Sequence, residues 1–331
     1  MRRRRLRSTV GGVSADGVTF ALDVGLGTRV GDVELRSVVL AASGTAGHGA
    51  ELAAYGPLPE LGAVVVKSLS PEPWAGNPAP RVVGAVGGAM LNSVGLQGPG
   101  VAAWRTDGLP ALLGAGATVV ASIWGRTVGE YRRAAELLAG VDERVVAVEV
   151  NLSCPNLDGG RHLFAQSPAA AAEVMAEVVD ALDRPAWAKL TAACTSPVEV
   201  AAAVAEAGAA AVVCVNTLLG MAIDVERRAY SLGSGPGGGG LSGTALHPVA
   251  VRVVHDVHAA TPELPIVGVG GVASGTDAVE LLLAGASAVA VGTATFADPR
   301  ACWRVLAELE RWCADRDVTA VSELIGAVHA R

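Results

Sequence analysis

The residues best suited to chemistry cluster in Asn151-Leu152-Ser153-Cys154-Pro155-Asn156. A thiol can take or return a proton when it is accessible and its pKa is suitably adjusted. Taken alone, such a cysteine is more often a buried, inert thiol; the neighbouring Asn151, Ser153 and Asn156 favour a chemical role. Asparagine amides offer both donor and acceptor, the complement of a ring edge that alternates N–H and C=O. Two lysines, Lys67 and Lys189, and a second amide, Asn216, each close a separate Val/Ala-rich run, as do Ser43 and Ser122. Two further runs end in Gly270-Gly271 and Gly292-Thr293. Glycines there let backbone N–H groups converge on an oxyanion, so a phosphorylated ligand is expected.

These groups can meet only if the runs that carry them are neighbouring strands. Eight such runs occur, at 38–42, 63–67, 118–123, 145–151, 186–190, 211–216, 266–270 and 288–292. Stretches of helical period follow several of them, at 128–138, 168–182, 197–206, 245–259, 276–284 and 299–315. Ser167-Pro168 and Ser196-Pro197 each place a capping residue before a proline at the first helical position. Eight βα repeats predict an α/β fold, a (β/α)8 TIM barrel with its active face at the carboxyl ends of the strands. An open doubly wound sheet is the alternative, but no G-x-G-x-x-G opens a helix after the first strand. Ahead of the barrel, 18–24 and 33–37 are expected to pair as a hairpin that plugs its floor. Segments 68–99 and 218–243 exceed the usual βα loop of about 2–6 residues and are read as covers over the active face, with 235–240 mobile.

Apolar residues make up 51% of the 331 positions and charged residues 17%, which excludes a disordered or fibrous chain. Lys+Arg 25 against Asp+Glu 32 gives a net charge of −7, with no basic stripe for nucleic acid. The longest uncharged stretch, 82–104, contains glycines, Asn92, Gln97 and Pro99, so no membrane span is expected. Arg2 to Arg5 resemble a signal-peptide start, but Gly11, Gly12 and Asp16 interrupt the apolar run that should follow. A cytoplasmic protein is expected, with a basic, disordered tail at 1–17 and one barrel domain over 18–331. Cys154, Cys194, Cys214, Cys302 and Cys313 form no C-x-x-C pair, which disfavours disulfides and structural zinc. His255 and His258 lack nearby cysteines or clustered carboxylates, so no metal site is assigned to them.

A set of ordered motifs carries a family resemblance: A-S-G at 42–44, V-K at 66–67, G-N-P-A-P-R at 76–81, M-L-N-S-V-G-L-Q at 90–97 and N-L-S-C-P-N at 151–156. It continues with V-N-T-L-L-G at 215–220, G-G-L-S-G at 239–243 and A-G-A-S-A-V-A-V-G-T-A-T-F-A-D-P at 284–299. From about 38 to 299 the chain resembles dihydroorotate dehydrogenases, the class 1B catalytic subunit more than class 1A or the membrane-bound class 2, which uses serine in place of this cysteine. The resemblance implies FMN and oxidation of (S)-dihydroorotate to orotate, the redox step of de novo pyrimidine (UMP) biosynthesis. It also implies that Cys154 takes the C5 proton while hydride leaves C6 for the flavin N5. By the same resemblance, Lys67, Asn92, Ser93, Val94, Gly95, Leu96, Asn151, Asn216 and Thr217 hold the substrate. Flavin-binding positions are matched by Ser43, Lys67, Ser68, Asn151, Lys189, Val215, Gly243, Gly270, Gly271, Gly292 and Thr293. An iron–sulfur flavoprotein electron-transfer subunit is the implied partner, in a heterotetramer; a homodimer is the alternative assembly.

The chain departs from the family pattern at several points. Ser122 stands where an asparagine is usual, and Trp124 replaces a small residue. Thr191-Ala192-Ala193 replaces Ser-Pro-Asn, and Thr244 and His247 replace Pro and Lys. A class 1A-like homodimer using fumarate, a dihydropyrimidine dehydrogenase-like flavoenzyme and a non-catalytic flavin-binding barrel are the competing readings. The joint presence of Lys67, Asn92, Asn151, Cys154 and Asn216 argues against the last.

Overall fold

A computed structural model describes residues 24–153 and 163–330. In chain order the strands are β1 (Thr28–Val30), β2 (Val33–Leu35), β3 (Val39–Ala41), β4 (Val64–Val65), β5 (Val82–Gly84), β6 (Met90–Asn92), β7 (Val119–Ile123) and β8 (Val145–Asn151). They continue with β9 (Ala186–Thr191), β10 (Ala211–Asn216), β11 (Leu218–Gly220), β12 (Ile223–Asp224), β13 (Ala229–Tyr230), β14 (Gly239–Ser242), β15 (Ile266–Val269) and β16 (Ala288–Val291). The helices are α1 (Val101–Thr106), α2 (Gly108–Gly114), α3 (Val128–Glu136), α4 (Pro168–Ala181), α5 (Pro197–Glu206), α6 (His247–Ala260), α7 (Gly275–Leu283), α8 (Ala294–Ala297) and α9 (Ala301–Ala314).

All eight expected runs become parallel strands and close into the ring β3-β4-β7-β8-β9-β10-β15-β16. The chain is a (β/α)8 TIM barrel. Val- and Ala-rich strands suit this ring because both faces are buried, one against the helices and one against the barrel interior. Helix starts follow the expected chemistry: Ser167 and Ser196 accept the backbone N–H of Ala170 and Glu199, with proline at the first turn of α4 and α5. Helix α4 then buries Ala171, Val174, Met175 and Val178, a stripe of helical period facing the strands.

Alanines and valines fill much of the barrel interior around Trp187 and Leu40. Trp187, 1% exposed, packs with Ala63, Ala147, Ala211, Ala288 and Ala290. Val30, Val33 and Leu35 of the β1–β2 hairpin join the same cluster and close the floor. The hairpin therefore plugs the barrel as expected and its second strand falls within the expected 33–37, but its first strand is not the expected one. The two-residue turn Gly31-Asp32, with Gly31 at φ +61°, pairs Thr28–Val30 with Val33–Leu35, and 18–23 of the expected first strand lies outside the described residues. The tail assigned to 1–17 also lies outside them.

The two long insertions meet over the carboxyl ends of the strands. They contribute β5 and β6 from one, β11 and β14 from the other, to a four-stranded antiparallel sheet ordered β11-β14-β6-β5. The glycine-rich stretch expected to be mobile instead supplies Gly239 and Gly240 to the central strand β14. Close contact explains the composition: a Cβ on Gly240 would lie 2.7 Å from Thr217 Cβ.

Candidate active site

Side chains on a strand alternate between its two faces, and that alternation builds the mouth of the barrel. Ala63 and Val65 point inward, so Lys67 follows them; Val120 is followed by Ser122, Ala147 by Glu149 and Asn151, and Trp187 by Lys189. An apolar plug thus gives way, one residue layer higher, to cations, amides and hydroxyls. In β10 the register with β9 shifts between Val213 and Asn216, and both Val215 and Asn216 reach the cavity wall.

The cavity above this layer has a volume of about 610 Å³, within the ordinary range for ligand sites. Lys67, Arg126 and Lys189 bring three cations to its wall, and no Asp or Glu lies on the wall among the described residues. Arg126 is already met by Glu130 at 2.5 Å, whose carboxyl is held below the usual carboxylate range by that guanidinium despite the opposing effect of burial. Lys189 Nζ lies 3.4 Å from the buried Glu149 carboxylate beneath the floor. Asn151 accepts the Ser153 N–H (3.2 Å) and Asn216 Nδ2 (3.1 Å) on Oδ1, while Tyr131 donates its hydroxyl to the Asn151 carbonyl at 2.6 Å.

At the far end, Gly270, Gly271, Gly292 and Thr293 line the cavity where β15 and β16 end, and α8 begins directly after Thr293. A glycine turn and a short extra helix after the last two strands form the arrangement with which barrels hold phosphate. Gly271 has φ +69°, and a Cβ there would sit 2.6 Å from His247 Cβ, so the close turn requires glycine. His247, one of the departures from the family pattern, supports this turn by donating from Nδ1 to the Gly270 carbonyl at 2.9 Å.

The covering loop is held rigidly. Arg81 donates to the carbonyls of Asn77 (2.6 Å) and Ala75 (3.0 Å) and to the Gln97 side chain. Asn77 in turn donates to Ser93 Oγ at 2.8 Å, and Trp74 Nε1 to the Gly95 carbonyl at 3.0 Å. These contacts present Ser93, Val94, Gly95 and Leu96 to the cavity, while Asn92 Nδ2 donates to the Gly240 carbonyl at 3.3 Å.

Every expected substrate residue lies on this one wall: Lys67, Asn92, Ser93, Val94, Gly95, Leu96, Asn151, Asn216 and Thr217. So do the expected flavin residues Ser43, Lys189, Val215, Gly243, Gly270, Gly271, Gly292 and Thr293. Ser68 is set behind the wall, its buried Oγ bonded to Ser122 Oγ (2.9 Å) and Asn151 Nδ2 (3.1 Å), so it supports Asn151. Cys154 lies outside the described residues; Ser153 before that gap and Leu163 after it both line the cavity. Sequence reasoning missed Trp74, Asn77 and Arg126 on the wall and Glu149 beneath it. Inward alternation on β8 was a signal for Glu149, and Asn77 lies in the G-N-P-A-P-R motif at 76–81; Trp74 carried none.

A second, more open cavity of about 580 Å³ shares Lys67 and Trp74 with the first and is lined by His48. Burial and the nearby Lys67 charge push the His48 pKa below its ordinary value. Cys214, fully buried behind the floor, has its pKa pushed up to about 12 by burial and is no candidate for an acid–base group.

A closed parallel barrel with a cationic, amide-rich mouth and glycine turns after its last two strands defines a (β/α)8 protein whose mouth is electrostatically suited to anions. Comparison narrows the class. The family model for dihydroorotate dehydrogenase matches residues 25–312. The "Dihydroorotate dehydrogenase B (NAD(+)), catalytic subunit" of Geobacter sp. (strain M21) is 45% identical over 303 residues, covering 92% of this chain and 98% of that protein. The proteins of the same name from Geobacter sulfurreducens (44% over 303 residues) and Alkaliphilus oremlandii (43% over 301 residues) match over 92% and 91% of this chain, and each over 98% of its own length. The chain belongs to the dihydroorotate dehydrogenase family, on the class 1B side of it.

Proposed function

We propose that this chain oxidises (S)-dihydroorotate to orotate in pyrimidine biosynthesis, with FMN as its prosthetic group. The carrying observation is the cavity wall: in a chain of net charge −7, three cations and four amides converge on it, and among the described residues no carboxylate lines it, Glu130 and Glu149 meeting Arg126 and Lys189 from behind. Such a wall fits two anions at once, a substrate carboxylate and a flavin phosphate. Two buried polar atoms of wall residues, Ser153 Oγ and Trp124 Nε1, have no partner among the described residues, which also suits a ligand that supplies one.

FMN, when bound, supplies the two-electron acceptor for the hydride leaving C6. The remaining work falls to the chain. Lys67 and the loop Asn92 to Leu96 hold the carboxylate; Asn151, Asn216 and Thr217 read the alternating ring edge; Cys154 removes the C5 proton. Lys189 places positive charge where negative charge develops on reduction. Gly270, Gly271, Gly292 and Thr293 receive the phosphate. The relatives' name, a catalytic subunit acting with NAD(+), supports a second, iron–sulfur flavoprotein subunit that docks on this chain and carries electrons to NAD, in a heterotetramer. In this reading residues 18–331 form one FMN-binding domain behind the tail 1–17, and the enzyme works in the cytoplasm. No helix among the described residues is long and apolar enough to cross a membrane.

The test is Cys154→Ala. A general base is worth about 10²- to 10⁴-fold in rate, so the variant is expected to keep its flavin and lose turnover by that order. A near wild-type rate would remove Cys154 from the mechanism.

A further inference from the structure

Glu149 is a carboxylate, 2% exposed, on a strand that is apolar apart from it and Asn151, and two sets of cavity residues converge on it. Its Oε1 accepts from Ser122 Oγ at 3.0 Å and lies 3.4 Å from Lys189 Nζ. The directions of the bonds that follow are forced. A carboxylate only accepts, so the single Ser122 proton goes to Glu149 and Ser68, 2.9 Å away, must donate to Ser122. With its own proton committed, Ser68 accepts from Asn151 Nδ2 at 3.1 Å. From the other end, the Ser153 and Thr217 N–H groups can only donate, and they fix Oδ1 of Asn151 and of Asn216. Asn216 Nδ2 then donates to Asn151 Oδ1 at 3.1 Å, so the whole line Asn216, Asn151, Ser68, Ser122, Glu149 runs in one direction.

We infer that Glu149 is a positioning residue that joins the two halves of the site: it balances the charge of Lys189 and terminates the ordered hydrogen-bond line that orients Asn151 and Asn216. Through this line the two halves meet at Glu149 Oε1. The serine at position 122 matters here, because its one hydroxyl proton permits a single donor direction where an amide would offer both senses.

The inference rests on the reading that a flavin lies against Lys189, and three variants separate the two. Glu149→Gln removes the charge and adds an N–H donor, but Lys189, which can only donate, keeps the amide oxygen turned toward itself and Ser122, so the acceptor at the end of the line is retained. Lys189 then acts uncompensated, and the reduced-to-oxidised ratio of bound flavin at fixed potential is expected to rise about tenfold, a midpoint shift of about +30 mV for a two-electron couple, with KM for dihydroorotate within twofold of wild type. Ser122→Ala cuts the line but leaves the Glu149–Lys189 pair; KM is expected to rise about 2- to 12-fold, as for one lost hydrogen bond, with the potential unmoved. Glu149→Met is expected to move both. Should Glu149→Met fail to fold, the other two still decide. A Glu149→Gln potential equal to wild type, a Ser122→Ala KM equal to wild type, or a Ser122→Ala variant that shifts the potential as far as Glu149→Gln would each overturn the inference. A wild-type protein that holds no flavin would instead overturn the earlier reading.

Discussion

Replacing Gly240 with alanine adds one methyl group at the point where the cover sheet crosses the site. Gly240 pairs with Leu219 on one side and Asn92 on the other, and its carbonyl accepts from Asn92 Nδ2. The new Cβ would lie 2.7 Å from Thr217 Cβ and 3.2 Å from Thr217 Cγ2. Rotating the threonine side chain relieves only its outer atoms, because Cβ is fixed to the backbone, so a strand must shift. Overpacking of this kind costs about 1–3 kcal/mol, more than the ~0.4–1 kcal/mol gained from the stiffer unfolded chain. The shift separates Asn92 from Thr217, so the cost is expected in substrate affinity, as a rise in KM of about 5- to 150-fold. The barrel beneath keeps its contacts, and its thermal midpoint should change little. Gly84, on β5 of the same sheet, has nothing within 4 Å of its would-be Cβ and ordinary φ, so Gly84→Ala is the matched control with an unchanged KM. Steady-state kinetics and thermal unfolding of both variants decide the matter: a Gly240→Ala protein with wild-type KM would refute the role given to the cover sheet.

Three further outcomes are expected. Trp187→Ala empties the centre of the barrel interior and should cost about 3–5 kcal/mol of stability, read by denaturant unfolding; a loss under 1 kcal/mol would mean the alanine-lined interior collapses around the gap. His258 has its pKa lowered from 6.5 by burial and then by His329 and His255, so its contribution to stability is complete above about pH 6.5 and is lost as pH falls through the lower folded value. His258→Gln should therefore flatten the fall in thermal midpoint between neutral and acid pH, and an unchanged slope would exclude His258 as its source. Arg81→Ala removes the staple of the 74–97 loop and should raise KM with little change in melting temperature; the reverse pattern would make Arg81 a purely structural residue.

The barrel was legible because its strands are buried on both faces and so read as continuous Val/Ala runs, each ending in the residue that faces the mouth. Lys67, Asn151 and Lys189 could be found that way, since strand alternation carries the interior parity straight up to the rim, whereas Asn216, of opposite parity to Ala211 and Val213, reaches the wall through the register shift at the end of its strand. The first strand of the floor hairpin was misplaced because a three-residue strand such as Thr28–Val30 is too short to show a period, although the Gly31-Asp32 turn marked the spot. Glycines at 239 and 240 suggested looseness, yet they are there for close strand contact, which composition alone does not distinguish from flexibility. Ser68 matched a ligand position by resemblance, but its hydroxyl turns back toward Ser122 and Asn151. A contact made behind the wall is invisible until the strands are assembled.

The most direct measurement is anaerobic mixing of the purified, flavin-loaded protein with dihydroorotate while flavin absorbance is followed, with dihydrouracil as the comparison. A wall of cations selected for a substrate carboxylate predicts rapid bleaching by dihydroorotate and little by dihydrouracil. Bleaching by dihydrouracil alone, or by neither compound, would contradict the account.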